Sequence, residues 1–197
     1  GNVQVSTQAL ECLASCEVPV VYLTPSGRFV AALMPAPAKN VSLRADQYRV
    51  FSDPGRALAL AREVVRAKVA NQRTLLMRSL RTRTSPTPEP PESPGAPPRG
   101  SDEPAARDMA ELLCRIDRVG EMASLLGIEG QAASLYFGQF GRMIKDQGPG
   151  RPFDFRSRNR RPPRDPVNAL LSFAYAILAK DCFSAACTVG FDPYFGF

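Results

Sequence analysis

Between Arg151 and Arg164 the chain carries six arginines, one aspartate (Asp154) and two aromatic residues, Phe153 and Phe155. A guanidinium fork matches a phosphate with two parallel hydrogen bonds, and an aromatic ring stacks on a base. The segment therefore reads as a nucleic-acid contact, with Arg156, Arg158, Arg160, Arg161 and Arg164 as binding residues. Pro152, Pro162 and Pro163 stiffen it, which lowers the entropy lost on binding. The plainer reading is a solvated, charged loop. A second basic element lies upstream: residues 44–83 hold ten basic and three acidic side chains. On a helix, Arg62, Arg66 and Arg73 fall within an arc of about 40°. Such a row either lays its stems along an apolar face with the heads in water or lines up on phosphates, and both uses are compatible.

Glu129 is the carboxylate best placed for chemistry. On a helix beginning at Ile128 it projects with Ala133, Tyr136 and Phe140, an apolar face. A carboxylate on such a face needs a cation, N–H donors or a proton. No lysine or arginine stands three or four residues further on. Two readings remain: a first-turn glutamate satisfied by the helix N-terminus, or a hard-oxygen ligand for magnesium or manganese.

Composition narrows the chemistry. The 197 residues contain no histidine and no tryptophan. That excludes a Ser-His or Cys-His pair, a His-ligated zinc and a haem-ligating histidine within this sequence. The net charge of +6 favours an anionic partner, nucleic acid first and acidic lipid second. Cys12, Cys16, Cys114, Cys182 and Cys187 are an odd number at irregular spacing, which reads as reduced thiols in a cytoplasmic protein. The longest apolar run near the C-terminus, Ala169 to Ile177, is broken by Ser172 and followed by Lys180 and Asp181. It falls short of about 20 apolar residues, so no membrane span or membrane partner is expected. No initiator methionine and no charged-then-apolar leader are visible.

The elements that must position these residues follow from local signals. Asn2–Val5 reads as a strand end. Ser6 and Thr7 cap a helix over 8–15, and Val18–Leu23 and Arg28–Leu33 are strands joined by a turn at Pro25-Ser-Gly27. From Asp53-Pro54 the pattern is helical, with a long helix over 55–81. Residues 82–104 hold eight prolines in 23 residues and read as a disordered insert, either a spacer or a polyproline ligand. Helices are then expected over 105–120, over 121–126 ending at Gly127, and over 128–145. An apolar helix over 167–189 is expected to be the central one. The class is α+β: residues 1–52 form a small β-rich portion, and 53–197 form a larger all-α domain.

Several segments together resemble one family. Asn2-Val-Gln-Val-Ser-Thr-Gln-Ala-Leu10, Val18-Pro-Val-Val-Tyr-Leu23 with Ser26-Gly-Arg-Phe29, and Lys68-x-x-Asn71-Gln72 resemble CRISPR-associated protein 1. So do Gly127-Ile-Glu-Gly130 with Ala133 and Tyr136-Phe137, Asp165-Pro-Val-Asn-Ala-Leu-Leu-Ser172, and Gly190-Phe-Asp-Pro-Tyr-Phe-Gly196. The resemblance implies a metal-dependent DNA endonuclease and integrase of CRISPR adaptation, which inserts new spacers into the array. It implies magnesium or manganese as cofactor, duplex or branched DNA as substrate, and as partners a second copy of the chain and CRISPR-associated protein 2. Of the family's metal ligands it places one here, Glu129, as a catalytic residue. The family's histidine and aspartates follow the segment matching Gly190–Phe197, so the chain is expected to be a fragment that lacks them. The competing reading is a non-catalytic basic helical module that holds DNA and docks partners.

Overall fold

The computed structural model describes residues 3–25, 29–34, 40–84, 103–144, 153, 155–159 and 162–196. Arg160, Arg161, most of the turn after β1 and residues 85–102 of the proline-rich insert lie outside these. The element order is α1 (Thr7–Ser15), β1 (Val20–Leu23), β2 (Phe29–Leu33), α2 (Val41–Phe51), α3 (Pro54–Thr84), α4 (Pro104–Ile116), α5 (Met122–Met143) and α6 (Pro166–Val189). The class is α+β, as the local signals imply. The residues group into two compact units, one of 1–54 with 159–197 and one of 55–158.

The first unit opens on irregular chain at Val3–Val5, not on a strand. Ser6 caps α1, its Oγ accepting from the Ala9 N–H at 3.2 Å. β1 and β2 pair antiparallel, with Val20 opposite Leu33 and a register irregularity between Tyr22 and Leu23. Helical structure begins before Asp53, contrary to expectation. Asn40 starts α2 by accepting from the Leu43 N–H at 3.2 Å. Along α2 only Gln47 is buried. An apolar stripe is therefore nearly absent, which is why periodicity does not reveal this helix. α6 starts at Pro166, a first-turn position that needs no N–H. It ends at Gly190, whose φ of 101° is the left-handed conformation that glycine adopts without strain.

α6 is not the buried centre expected of it. Its buried residues are Val167 and Asn168, both in the first turn. Leu170, Phe173, Tyr175, Leu178 and Val189 are exposed. Among the described residues α6 is also the one helix long and apolar enough to cross a membrane by length and composition. That is a test of length and composition alone; the run of consecutive apolar residues stays short of about 20, broken by Ser172, Lys180 and Asp181.

The second unit holds the hydrophobic core. α3 contributes Leu58, Ala61, Val69 and Leu76, and α4 contributes Ala105, Ala106, Met109, Leu112 and Ile116. α5 adds Leu125, Ile128, Ala132 and Tyr136, and Val119 closes the cluster from the α4–α5 connection. α5 runs unbroken through Gly127, where a separate short helix was expected to stop. A glycine inside a helix costs about 1 kcal/mol relative to alanine. Burial of Leu125 and Ile128 on either side more than offsets this, at roughly 1.5–3 kcal/mol each. The proline-rich insert is shorter at both ends than composition suggests, because α3 extends to Thr84 and α4 begins at Pro104.

Candidate functional site

Arg62, Arg66 and Arg73 lie on the packing side of α3, interleaved with Ala61, Val69 and Leu76. All three reach partners inside the second unit. Arg62 Nη2 donates to the Val119 carbonyl. Arg66 bridges Glu63 on its own helix and Asp117 just past α4. Arg73 Nε donates to the Ala106 carbonyl at 2.8 Å. Arg62 and Arg66 thus place positive charge where α4 ends and its carbonyls point out, a favourable arrangement for a helix dipole. The two acidic partners hold the Arg66 guanidinium firmly protonated, with Glu63 the stronger influence. In this unit the three arginines tie α3 to α4.

Glu129 sits two turns inside α5, beside the buried row of Leu125, Ile128, Ala132 and Tyr136 and not within it. Its side chain is 28% exposed and forms an ion pair with Lys68 of α3. The cation that no residue on its own helix supplies comes from 61 positions upstream. Lys68 and Glu129 belong to two of the segments quoted above, and the fold brings them together. Nothing local along the chain announces Lys68 as the partner; only the packing of α3 against α5 selects it.

As a metal centre the arrangement is incomplete. Among the described residues no group of three or more His, Cys, Asp or Glu side chains lies where it could hold a metal ion. Magnesium takes several oxygen ligands and gives up water reluctantly. A lone carboxylate already neutralised by an ammonium does not meet that need. The residues present do not fit a magnesium or manganese site on their own.

The arginine-rich segment is anchored by an aromatic cluster. Tyr136, Phe137 and Phe140 of α5 contact one another, with ring centroids 5.2–5.8 Å apart. Phe155 joins them, 5.0 Å from Phe140 and 6.4 Å from Phe137. The chain then presents Arg156, which is exposed, and Arg158, which is half-buried. Arg164 is exposed in the first unit, and its backbone N–H donates to Asn159 Oδ1 at 2.7 Å.

Two polar residues that sequence reasoning passed over organise the first unit. Asn168 is completely buried. Its backbone N–H donates to Asp165 Oδ1 at 2.7 Å and its Nδ2 to Asp165 Oδ2 at 2.6 Å, while its Oδ1 accepts from the Asn159 N–H at 3.0 Å. Asp165 is thereby the N-cap of α6, and the Asn168 amide, followed by its backbone N–H, holds the Asp165 carboxyl below its ordinary pKa. Gln47, 7% exposed, grips the chain after α6. Its Nε2 donates to the carbonyls of Asp192 and Phe195 at 2.9 and 2.7 Å, and its Oε1 accepts from the Asp192 N–H at 2.8 Å. Tyr48 completes the grip by donating to Asp192 Oδ2 at 2.7 Å, which lowers the Asp192 pKa. Asp192 Oδ1 accepts from the Tyr194 N–H at 2.9 Å, the turn-capping role that a carboxylate before proline suggests.

These segments can be set beside known proteins. The family described as "CRISPR associated protein Cas1" matches residues 1–197. A Cas4/Cas1 fusion, "CRISPR-associated exonuclease Cas4/endonuclease Cas1 fusion" of Geobacter sulfurreducens, is 43% identical over 199 residues, covering all of this chain and 33% of the fusion. "CRISPR-associated endonuclease Cas1 2" of Rhodospirillum rubrum is 39% identical over 207 residues, covering all of this chain and 54% of that protein. The chain thus spans about a third to a half of the length of these relatives. Among solved structures, a casposase bound to integration product superposes with a TM-score of 0.73 at 22% identity, over 98% of this chain and 48% of that one. That likeness shows the fold alone. A chain of a Cas6-RT-Cas1–Cas2 complex superposes with a TM-score of 0.67 at 26% identity, over 95% of this chain and 18% of that one. With the family match running the full length, and with relatives this similar across all of it, the chain belongs to the CRISPR-associated Cas1 family.

Proposed function

We propose that this chain is the DNA-holding part of a metal-dependent nuclease and integrase that inserts spacers into a CRISPR array. The observation that carries the reading is the Lys68–Glu129 pair. It joins, on α3 and α5, two segments whose resemblance to the family is independent in sequence. Glu129 is the one carboxylate we assign to the magnesium- or manganese-binding set, and its ion pair with Lys68 orients it. Arg156, Arg158, Arg164 and, by sequence, Arg160 and Arg161 neutralise phosphates of duplex or branched DNA. Arg62, Arg66 and Arg73 contribute positive potential from the α3–α4 seam while keeping that seam closed. A second copy of the chain and Cas2 are the proposed protein partners, the latter supported by similarity to the Cas6-RT-Cas1–Cas2 complex.

Affinity for duplex DNA should fall with salt in proportion to the phosphates contacted, with a slope of about 0.9 per contact. Replacing Arg156 and Arg158 together with alanine is expected to reduce that slope by one to two. Fluorescence anisotropy titrations across a salt series measure it, and an unchanged slope removes this segment from the interface.

A non-catalytic module that only holds DNA is the second reading, favoured by the single carboxylate in a site already neutralised by Lys68. The 197-residue chain is expected to bind branched DNA and leave it intact in manganese. Gel analysis of labelled strands tests this. Cleavage that disappears in Glu129→Ala would show that the residues present suffice for chemistry.

A further inference from the structure

Gly141 stands where the chain bearing Arg156 and Arg158 comes closest to α5. A Cβ added there would lie 2.8 Å from the Phe155 carbonyl oxygen and 3.9 Å from its carbon. Contact that short with backbone cannot be relieved by turning a side chain, so the approach requires glycine. Phe140, immediately before it, and Phe137, one turn before it, offer partly buried rings that pack on the core, and Phe155 lies against both. The carbonyl and the ring of one residue are therefore held together by one end of one helix, and the arginines follow within three positions.

We propose that Gly141 and the Phe137–Phe140 pair form a seat for Phe155 that presents Arg156 and Arg158 to duplex phosphates in a fixed pose. This rests on reading the segment as a DNA contact. Long arginine side chains on a moving loop lose backbone as well as rotamer freedom when they bind. Seating Phe155 removes the backbone share of that loss before DNA arrives. Gly141 and Phe155 touch no phosphate themselves; they are positioning residues acting through the two arginines.

The test is a binding cycle on the 197-residue chain with a random-sequence duplex, between about 50 and 200 mM salt. The variants are Gly141→Val, Phe155→Ala, the pair Arg156→Ala with Arg158→Ala, and Phe155→Ala combined with that pair. Thermal unfolding is followed for each. Gly141→Val and Phe155→Ala are each expected to weaken binding about three- to tenfold, the factor that ordering one or two side chains carries. In the arginine-free background Phe155→Ala should cost nothing further. An additive loss there would show a general structural effect and overturn the seat, as would wild-type affinity in Phe155→Ala. Should Gly141→Val fail to fold, Phe155→Ala decides, because it only removes atoms beside partly buried rings. Unchanged binding in the arginine pair alone would instead overturn the DNA-contact reading, a result distinguishable from failure of the seat.

Discussion

Met109→Ala is expected to destabilise the second unit by about 3 kcal/mol, within the range of 2–5 kcal/mol typical of large-to-small changes in a core. Met109 is fully buried on α4, as are Leu76 of α3 and Leu125 of α5. Truncation removes three heavy atoms from a place that three helices enclose, and rigid helices collapse only partly into the space. Met109→Leu keeps most of the volume and should cost less than about 1.5 kcal/mol. Urea unfolding followed by circular dichroism measures both. The alanine variant should show a lower midpoint at an unchanged slope, since the surface exposed on unfolding barely changes. A loss below about 1 kcal/mol for the alanine variant would mean that this cluster is not a close-packed core.

Asn168→Ala is expected to cost the first unit about 3 kcal/mol, by a different route. No large apolar volume is lost. Instead the Asn159 N–H loses its acceptor and the Asp165 carboxylate loses its shortest donor. An unsatisfied buried group costs about 1–3 kcal/mol, and the lost hydrogen bond to the Asp165 carboxylate adds to it. The effect should also depend on pH. Asp165 has its pKa lowered in the folded chain, chiefly by the Asn168 side-chain amide. A carboxyl with a depressed folded pKa contributes stability above its unfolded pKa, near 3.9, and loses it as pH falls through the folded value. The gap between wild type and Asn168→Ala should therefore be widest near neutral pH and narrow below about pH 4. Unfolding titrations at several pH values check this; a gap that stays constant into acid would remove Asp165 from the account.

The ion pair between Lys68 and Glu129 ranks below both in energy, though not in meaning. Both side chains are partly exposed, at 43% and 28%. Solvent screening keeps such pairs near 0–1 kcal/mol. Its value lies in where it holds the carboxylate.

Elements whose signals are local can be read from the chain alone. Ser6 as an N-cap, Asp53-Pro54 as a helix start and the apolar stripe of Met109, Leu112 and Ile116 are each written within a turn or two of the chain. So is the pairing of two short strands across a turn. The whole family assignment was legible too, because its motifs are short runs in fixed order. Every choice that couples distant residues was made by packing. α2 escaped because its one buried side chain is a glutamine whose partners lie 145 and 148 positions away. α5 continued through Gly127 because its neighbours found a core, and propensity alone argues for a stop. Glu129 found Lys68, Arg66 found Asp117, and Gly141 met Phe155 by packing, not by spacing. The apolarity of α6 was plain, yet apolarity states only that burial is favourable. Whether a surface is covered depends on which other elements the chain brings to it, and that information is not carried by the helix itself.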